Sequence, residues 1–346
     1  MSLNPPSASL RTVTSTIVVV SILVAAGVAV IATAAYYGSR TTLTPGNVTV
    51  VDDVGRTVAA PSDTSRIVVL APSVMDIVYR LGLRDRVVGI GCTPPLYGGI
   101  LNEYSPNQTA AWNLSSSMCV TDFPTLNTQE LASLAPQLVL ASTLTSASDV
   151  ATLTNTYGLP VVILAPSTLD GIVGDVNLVA QLFPSARPAA TTLDASLEGI
   201  LANATAFDGL LEENATPIPS VLLTYYFDGG GYYTFGPGTF GQSLVDLAAG
   251  SSIAAGVPLE YAEINATVVL ADQPTVVIYG TSWNDPYLVA NETPTAWPGA
   301  PYWAQLDGAK IPIDITVLTE ADPTMLLELP WFLHWLHPTL SPVPSD

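Results

Sequence analysis

Residue types that ordinarily perform chemistry are few in this chain, and their spacing suits no familiar reaction. His334 and His337 are the only histidines. Both fall in a terminal Trp/Leu-rich stretch, where an imidazole packs or faces solvent rather than acting as a base or ligand. Gly241-Gln242-Ser243 is followed by Leu244 and Val245, so the nucleophile-elbow pattern fails at its last glycine. Neither HExxH nor a cysteine-rich zinc pattern occurs. Gly236-Pro237-Gly238-Thr239-Phe240-Gly241 satisfies GxGxxG. The strand expected before it ends near Tyr226 with a glycine-rich excursion between, so it reads as a loop at a cleft edge, not a pyrophosphate cradle. Asp52 with Asp53, and Glu212 with Glu213, read as surface turns. The sequence nominates no catalytic residue, no metal ligand and no cofactor.

Aromatic side chains are the better signal. Tyr225, Tyr226, Phe227, Tyr232, Tyr233 and Phe235 surround the glycine loop, and Trp283, Tyr287, Trp297, Tyr302 and Trp303 follow later strands. Ligands of open α/β sheets bind at the carboxyl ends of strands. In the first half of the chain those ends offer Pro72 and Ser73, then Tyr97, with Phe123 before a helix. The expected ligand-binding set is Pro72, Ser73, Tyr97, Phe123, Tyr226, Tyr233, Phe235, Trp283, Tyr287 and Trp303. Rings on both sides of a cleft suit a bulky, flat or ring-bearing ligand.

The elements that position these residues come from a phrase and its echo. RIVVLAPSVMDIVYRLGLRDRVVGIG (66–91) reads as strand, tight loop, amphipathic helix and strand. LASLAPQLVLAS (131–142) gives a helix end, a proline and a buried strand, and VVLADQPTVVIY (268–279) repeats that half-unit. Val/Ile/Leu-rich runs separated by helices predict parallel sheets covered on both faces. The expected fold class is α/β: two Rossmann-like lobes joined by a helical connector and preceded by one transmembrane helix. The divisions are 1–38 for tail and anchor, 39–65 for a tether and small hairpin, 66–166 for the N-terminal lobe, 167–213 for the connector and 214–346 for the C-terminal lobe.

Composition narrows the setting. Nine Lys plus Arg stand against 29 Asp plus Glu in 346 residues, a formal net charge of −20. Nucleic acid is excluded as a partner, since phosphate neutralisation needs clustered cations. Thr12 to Ala35 holds no charge and is long enough to cross a bilayer as a helix. With the short tail inside, the lobes lie outside the cell. Ala32-Thr33-Ala34 offers a cleavage site, but the apolar run exceeds a signal-peptide core, which favours an uncleaved anchor. Sequons at Asn47, Asn107, Asn113, Asn203, Asn214, Asn265 and Asn291 all follow that segment and favour an extracellular glycoprotein. Cys92 and Cys119, with 26 residues between them, are expected to pair as a disulfide in an oxidising compartment; two buried thiols or a metal pair are the alternatives.

These phrases, with DDVGRTV, DFPTLNTQELASLAPQLVLA, FGPGTFGQSLVDLAAG and the closing LHP, resemble the substrate-binding proteins of ABC importers for iron-siderophores, haem and cobalamin. The likeness covers about Val48 to Pro338, and dense sequons on an anchored receptor point to an archaeal form. It implies capture of an iron chelate, haem or corrinoid outside the membrane and delivery to an ABC permease with its ATPase. In the family each lobe carries a docking glutamate seven residues before the strand-motif proline. Here that count lands on Gln129 and Thr267, with Glu130 and Glu263 nearby. Docking is therefore expected to use Gln129, Glu130, Glu263 and Thr267. The alternative is an envelope surface or adhesion protein that keeps the fold without transport.

Overall fold

The turn at Asp52–Arg56 shows how side chains fix the first element. Asp52 accepts from the Arg56 amide at 2.8 Å and from the Arg56 guanidinium, while Gly55 sits at φ 80°, a conformation glycine adopts without a Cβ penalty. The turn joins β2 (Asn47–Val51) to β3 (Thr57–Pro61), with β1 (Thr42–Thr44) on the outer side of β2, in one antiparallel sheet. Arg56 also donates to the Val161 carbonyl, and Asp53 accepts from the Ala165 amide at 2.7 Å. These bonds fasten the small sheet to the first lobe. The computed structural model describes residues 42–44, 46–92, 99–122, 125–227, 230–281 and 300–344. Tyr97, Phe123, Trp283, Tyr287, Asn291 and the apolar run 12–35 lie outside the described residues. Among those described, no helix is long and apolar enough to cross a membrane.

The first lobe is a five-stranded sheet in the order β6-β5-β4-β7-β8, built from β4 (Ile67–Val69), β5 (Val87–Gly91), β6 (Cys119–Val120), β7 (Leu138–Ala141) and β8 (Val161–Ile163). Every pairing is parallel. Both faces are covered, which explains why β4, β7 and β8 are apolar throughout instead of alternating. Ile67, Val69, Leu138 and Leu140 enter the main core, and Val68, Val139, Ala141 and Val161 form a second cluster. Cys92 and Cys119 are joined as a disulfide with Cα atoms 5.2 Å apart.

Two helices follow, Leu169–Leu182 and the 28-residue Arg187–Asn214. Pro184 lies between them, whereas Pro188 occupies the first turn of the longer helix, where its missing N–H costs no bond. That helix packs against Leu169–Leu182 and also against three helices of the second lobe, Phe240–Leu247, Pro323–Leu327 and Leu329–Leu336.

The second lobe departs from a purely parallel Rossmann-like sheet. β9 (Ser220–Phe227) is followed by β10 (Gly231–Phe235), β11 (Ser251–Ser252), β12 (Tyr261–Asn265), β13 (Val276–Thr281) and β14 (Ala309–Asp314). The order is β12-β10-β9-β13-β14, with β11 beside β9. β9, β13 and β14 are parallel, but β10 and β12 add antiparallel strands at one side. Tyr232 to Phe235, read above as flanks of a glycine loop, are strand residues. The strand before Gly236 therefore ends at Phe235, not near Tyr226. The glycines still serve packing: a Cβ on Gly236 would come within 2.2 Å of the Leu259 carbonyl oxygen, and one on Gly241 within 2.6 Å of the Phe235 ring.

Candidate ligand-binding site

At the carboxyl end of β9 the ladder to β10 slips. Tyr226 pairs with Tyr233 and Thr224 with Thr234, which leaves Tyr225 as the extra residue of a bulge. The Thr224 hydroxyl donates to the Tyr233 carbonyl at 2.7 Å and braces the irregularity. The result is a run of five rings. Tyr226 lies 5.5 Å from Tyr233, Tyr233 lies 6.2 Å from Tyr225, and Tyr225 is 5.1 Å from Phe235 and 6.3 Å from Tyr261. Tyr226 is 42% exposed and Tyr261 55% exposed, so the run ends in two open faces. Burial, with Tyr261 and Tyr233 nearby, raises the Tyr225 phenol; burial and then Glu260 raise that of Tyr261. Both stay neutral hydroxyls at ordinary pH.

Other expected ligand residues are taken up by packing. Phe235 is 1% exposed and belongs to the main core. Trp303 is buried in a separate cluster with Phe227 and Tyr232, its ring 4.9 Å from Tyr279. Pro72 opens the Pro72–Arg80 helix, and the Ser73 amide donates to Glu320 Oε2 at 3.0 Å across to the other lobe. Of the predicted set, Tyr226 and Tyr233 are brought together. Tyr261 was missed because it lies on β12, a strand the apolar pattern did not reveal; Tyr225 was noted only as a neighbour.

Cations do not converge here. Lys310 donates to the Leu306 carbonyl at 2.5 Å and lies 5.8 Å from the Trp303 ring. Arg66 and Arg84 bond backbone carbonyls, Arg86 bonds the Thr64 carbonyl and Ser185, and Arg56 and Arg80 pair with Asp52 and Asp76. A cavity of about 520 Å³ lies in the first lobe, between Val54 and Arg56 of the hairpin and Thr143, Val150 and Asn155. It is remote in sequence and lobe from the tyrosines.

The lobes meet in an acidic contact. Tyr104 donates to Asp322 Oδ2 at 3.0 Å, and Arg80 and Asp76 both bond Thr324. Burial, then Asp76 and Glu320, push the Asp322 carboxyl well up; burial raises Asp76 against the pull of Arg80. Elsewhere His337 is buried, its Nε2 3.1 Å from the Ala248 carbonyl and 3.2 Å from that of Ala249, and burial lowers its pKa. It is a neutral packing residue.

Of the expected docking positions Glu130 is half-buried and the other three are exposed, and Gln129 and Thr267 are structurally equivalent. Gln129 is the second residue of the Thr128–Ser133 helix behind the cap Asn127; Thr267 is the second of Ala266–Asp272 behind the cap Asn265. Glu130 accepts from the Thr121 amide at 3.2 Å, and Glu263 stands exposed on the edge strand β12. Asn47, Asn107, Asn113, Asn203, Asn214 and Asn265 are all exposed.

A family model described as periplasmic binding protein matches residues 67–295. The chain belongs to that family. Among family relatives, the cobalamin-binding protein of Halobacterium salinarum is 28% identical over 238 residues, which is 68% of this chain. The chain spans about 59% of that relative's length. Solved structures of like fold include the periplasmic vitamin B12 binding protein of Vibrio cholerae (TM-score 0.58, 19% identity, 80% of this chain and 98% of that one). A periplasmic haem-binding protein of Pseudomonas aeruginosa gives TM-score 0.62 at 17% identity, over 81% of this chain and 95% of that one. The molybdate-binding protein of Haemophilus influenzae gives 0.67 at 17%, over 84% and 91%. These relatives are binding proteins, not enzymes.

Proposed function

We propose that this member of the family is an extracytoplasmic receptor, held by its N-terminal helix, that captures a metal complex between its lobes for an ABC permease and ATPase. The observation that carries the reading is the tyrosine run from Tyr226 to Tyr261 at the carboxyl end of β9. Such a surface stacks on a flat or ring-bearing ligand and donates neutral hydroxyls. With Lys310, Arg56 of the hairpin and four first-lobe arginines engaged elsewhere, an anionic siderophore finds no clamp among these cations. A corrinoid fits better than an anionic chelate, and the named relative is a cobalamin-binding protein; haem and neutral ferric hydroxamates share the ring or neutral-donor requirement. Thermal-shift titration of the full chain with cyanocobalamin, haemin and a neutral ferric hydroxamate tests it. Stabilisation by cyanocobalamin is the expected result, and no shift with any of the three overturns the reading.

A second reading rests on Gln129 and Thr267, neutral where the family's docking acids are expected. It is an envelope protein that binds without transport. Co-purification of a permease and ATPase with the tagged chain decides against it.

A further inference from the structure

The contact between lobes gathers more acid than it neutralises. From the first lobe come Asp76 and Arg80 on the Pro72–Arg80 helix, and Tyr104. From the second come Glu320, Asp322 and Thr324 around the start of the Pro323–Leu327 helix, with Glu328 at its end. Arg80 Nε bonds Asp76 at 2.7 Å, and its Nη2 reaches Thr324 at 2.9 Å. Thr324 in turn donates to Asp76 at 3.1 Å. Asp322 caps its helix through the Met325 amide at 3.2 Å while it accepts from Tyr104. Glu320 holds the Ser73 amide. Asp76, Asp322 and Tyr104 are each 1% exposed.

Buried carboxylates at such a contact repel one another and lack the water that would hold their charge. Asp76 pairs directly with Arg80, whereas Asp322 is held by a phenol and a backbone amide. Separation of the lobes returns Asp322, Glu320 and Asp76 to solvent. We propose that the Asp76–Tyr104–Asp322 contact is a proton-dependent latch, docked while its two carboxyls hold protons and loosened as they ionise. The sign follows from linkage: the docked state binds more protons than the parted one, so falling pH favours docking and rising pH opposes it. Asp322 and Asp76, both raised by burial, act in this direction, and Tyr104, itself pushed up, stays a donor throughout. The latch concerns the protein alone and stands whichever ligand is bound. In an acid medium the lobes are held together; towards neutral pH they part and the interlobe site loosens.

The test measures interlobe distance on the ligand-free full chain in detergent, with the Cys92–Cys119 disulfide intact. Thr156→Cys and Ala271→Cys, both at exposed positions, carry spin labels for double electron–electron resonance from about pH 3 to about pH 8. A narrow distribution in acid that shifts or broadens as pH rises is expected. Asp322→Asn carries no charge, keeps Oδ1 as acceptor for the Met325 amide and donates from Nδ2 to the Tyr104 oxygen, so it should hold the acid distribution to higher pH. Asp76→Asn, which removes the charge of the other buried carboxyl, should reduce the response and serves if the first variant fails to fold. A wild-type distribution that ignores pH, or variants that follow the wild type, overturns the proposal. Because no ligand is present, failure here is distinct from failure of the receptor reading.

Discussion

Tyr226 and Phe227 are adjacent, yet the bulge and the pleat send them to different work. Tyr226 ends an open run of rings, whereas Phe227 is 2% exposed and sits 4.7 Å from Tyr232 in a core. Tyr226→Ala and Tyr261→Ala should each weaken cyanocobalamin binding about tenfold, the equivalent of about 1.4 kcal/mol, with little change in melting temperature. Isothermal titration of each variant checks this; unchanged affinity in both removes the tyrosines from the site. Phe227→Ala should instead cost about 3 to 5 kcal/mol of stability, measured by denaturant unfolding. The sequence announced aromatic residues near strand ends but not which face each would take. An alternating pattern places residues two apart on one side, and Tyr225 breaks it by a one-residue slip that leaves no mark in the letters. Phe235 and Trp303 look no different from Tyr233 until the helices covering them are in place.

The echo that revealed two lobes has a shared conformational cause. Thr128–Ser133 and Ala266–Asp272 are each followed by a residue in the left-handed region, Ala135 at φ 46° and Gln273 at φ 42°, and then by Pro136 and Pro274, which lead into β7 and β13. Left-handed conformation disfavours a residue with a Cβ, and glycine is the usual choice at such helix ends. Ala135→Gly should therefore raise stability by up to about 1 kcal/mol in chemical denaturation, whereas Gln273→Gly also loses the bonds its side chain makes to the Gln305 carbonyl and the Asp307 amide and should gain less; a loss at Ala135 would show that backbone strain does not govern this helix end. The prolines made the half-units legible. β10 and β12 were not legible, because Gly231–Phe235 is an aromatic-rich run without alternation beside a glycine loop, and Tyr261–Asn265 alternates over only five residues. The long connector falls between these cases. Its apolar period marks a helix, but the face that period suggests, Leu193, Leu197, Ile200 and Leu201, is buried fully only at Leu197, and the buried stripe runs through Ala190, Leu197, Ala204 and Leu211 at intervals of seven.

For the molecule as a whole, charge and burial set the conditions of stability together. A net charge of −20 makes the folded chain repel itself, and several acids are buried besides. Burial, with Asp53 beside it, pushes Asp175 well up; burial, opposed by Asn177 and aided by Glu198, brings Asp194 to about 7. Asp76 and Asp322 move the same way. Each of these groups has a folded pKa above its unfolded value near about 4. The folded chain therefore binds the extra protons, and their contribution is complete below about pH 4 and lost as pH rises from there to the folded values; for Asp194 the loss runs up to about 7 and is complete above it. His337 acts oppositely: burial lowers it, so it costs stability as pH falls through about 6.5. Four acids against one histidine give a melting temperature that is higher near about pH 5 than near about pH 8 by scanning calorimetry. Asp194→Asn should flatten the part of that slope on the acid side of about 7. Salt should raise the melting temperature most at the alkaline end, where ionised carboxylates are densest and screening over about 3 Å at 1 M has most to suppress. A melting temperature that climbs from acid to alkali, with or without salt, would mean that the buried carboxyls do not govern the stability of this fold.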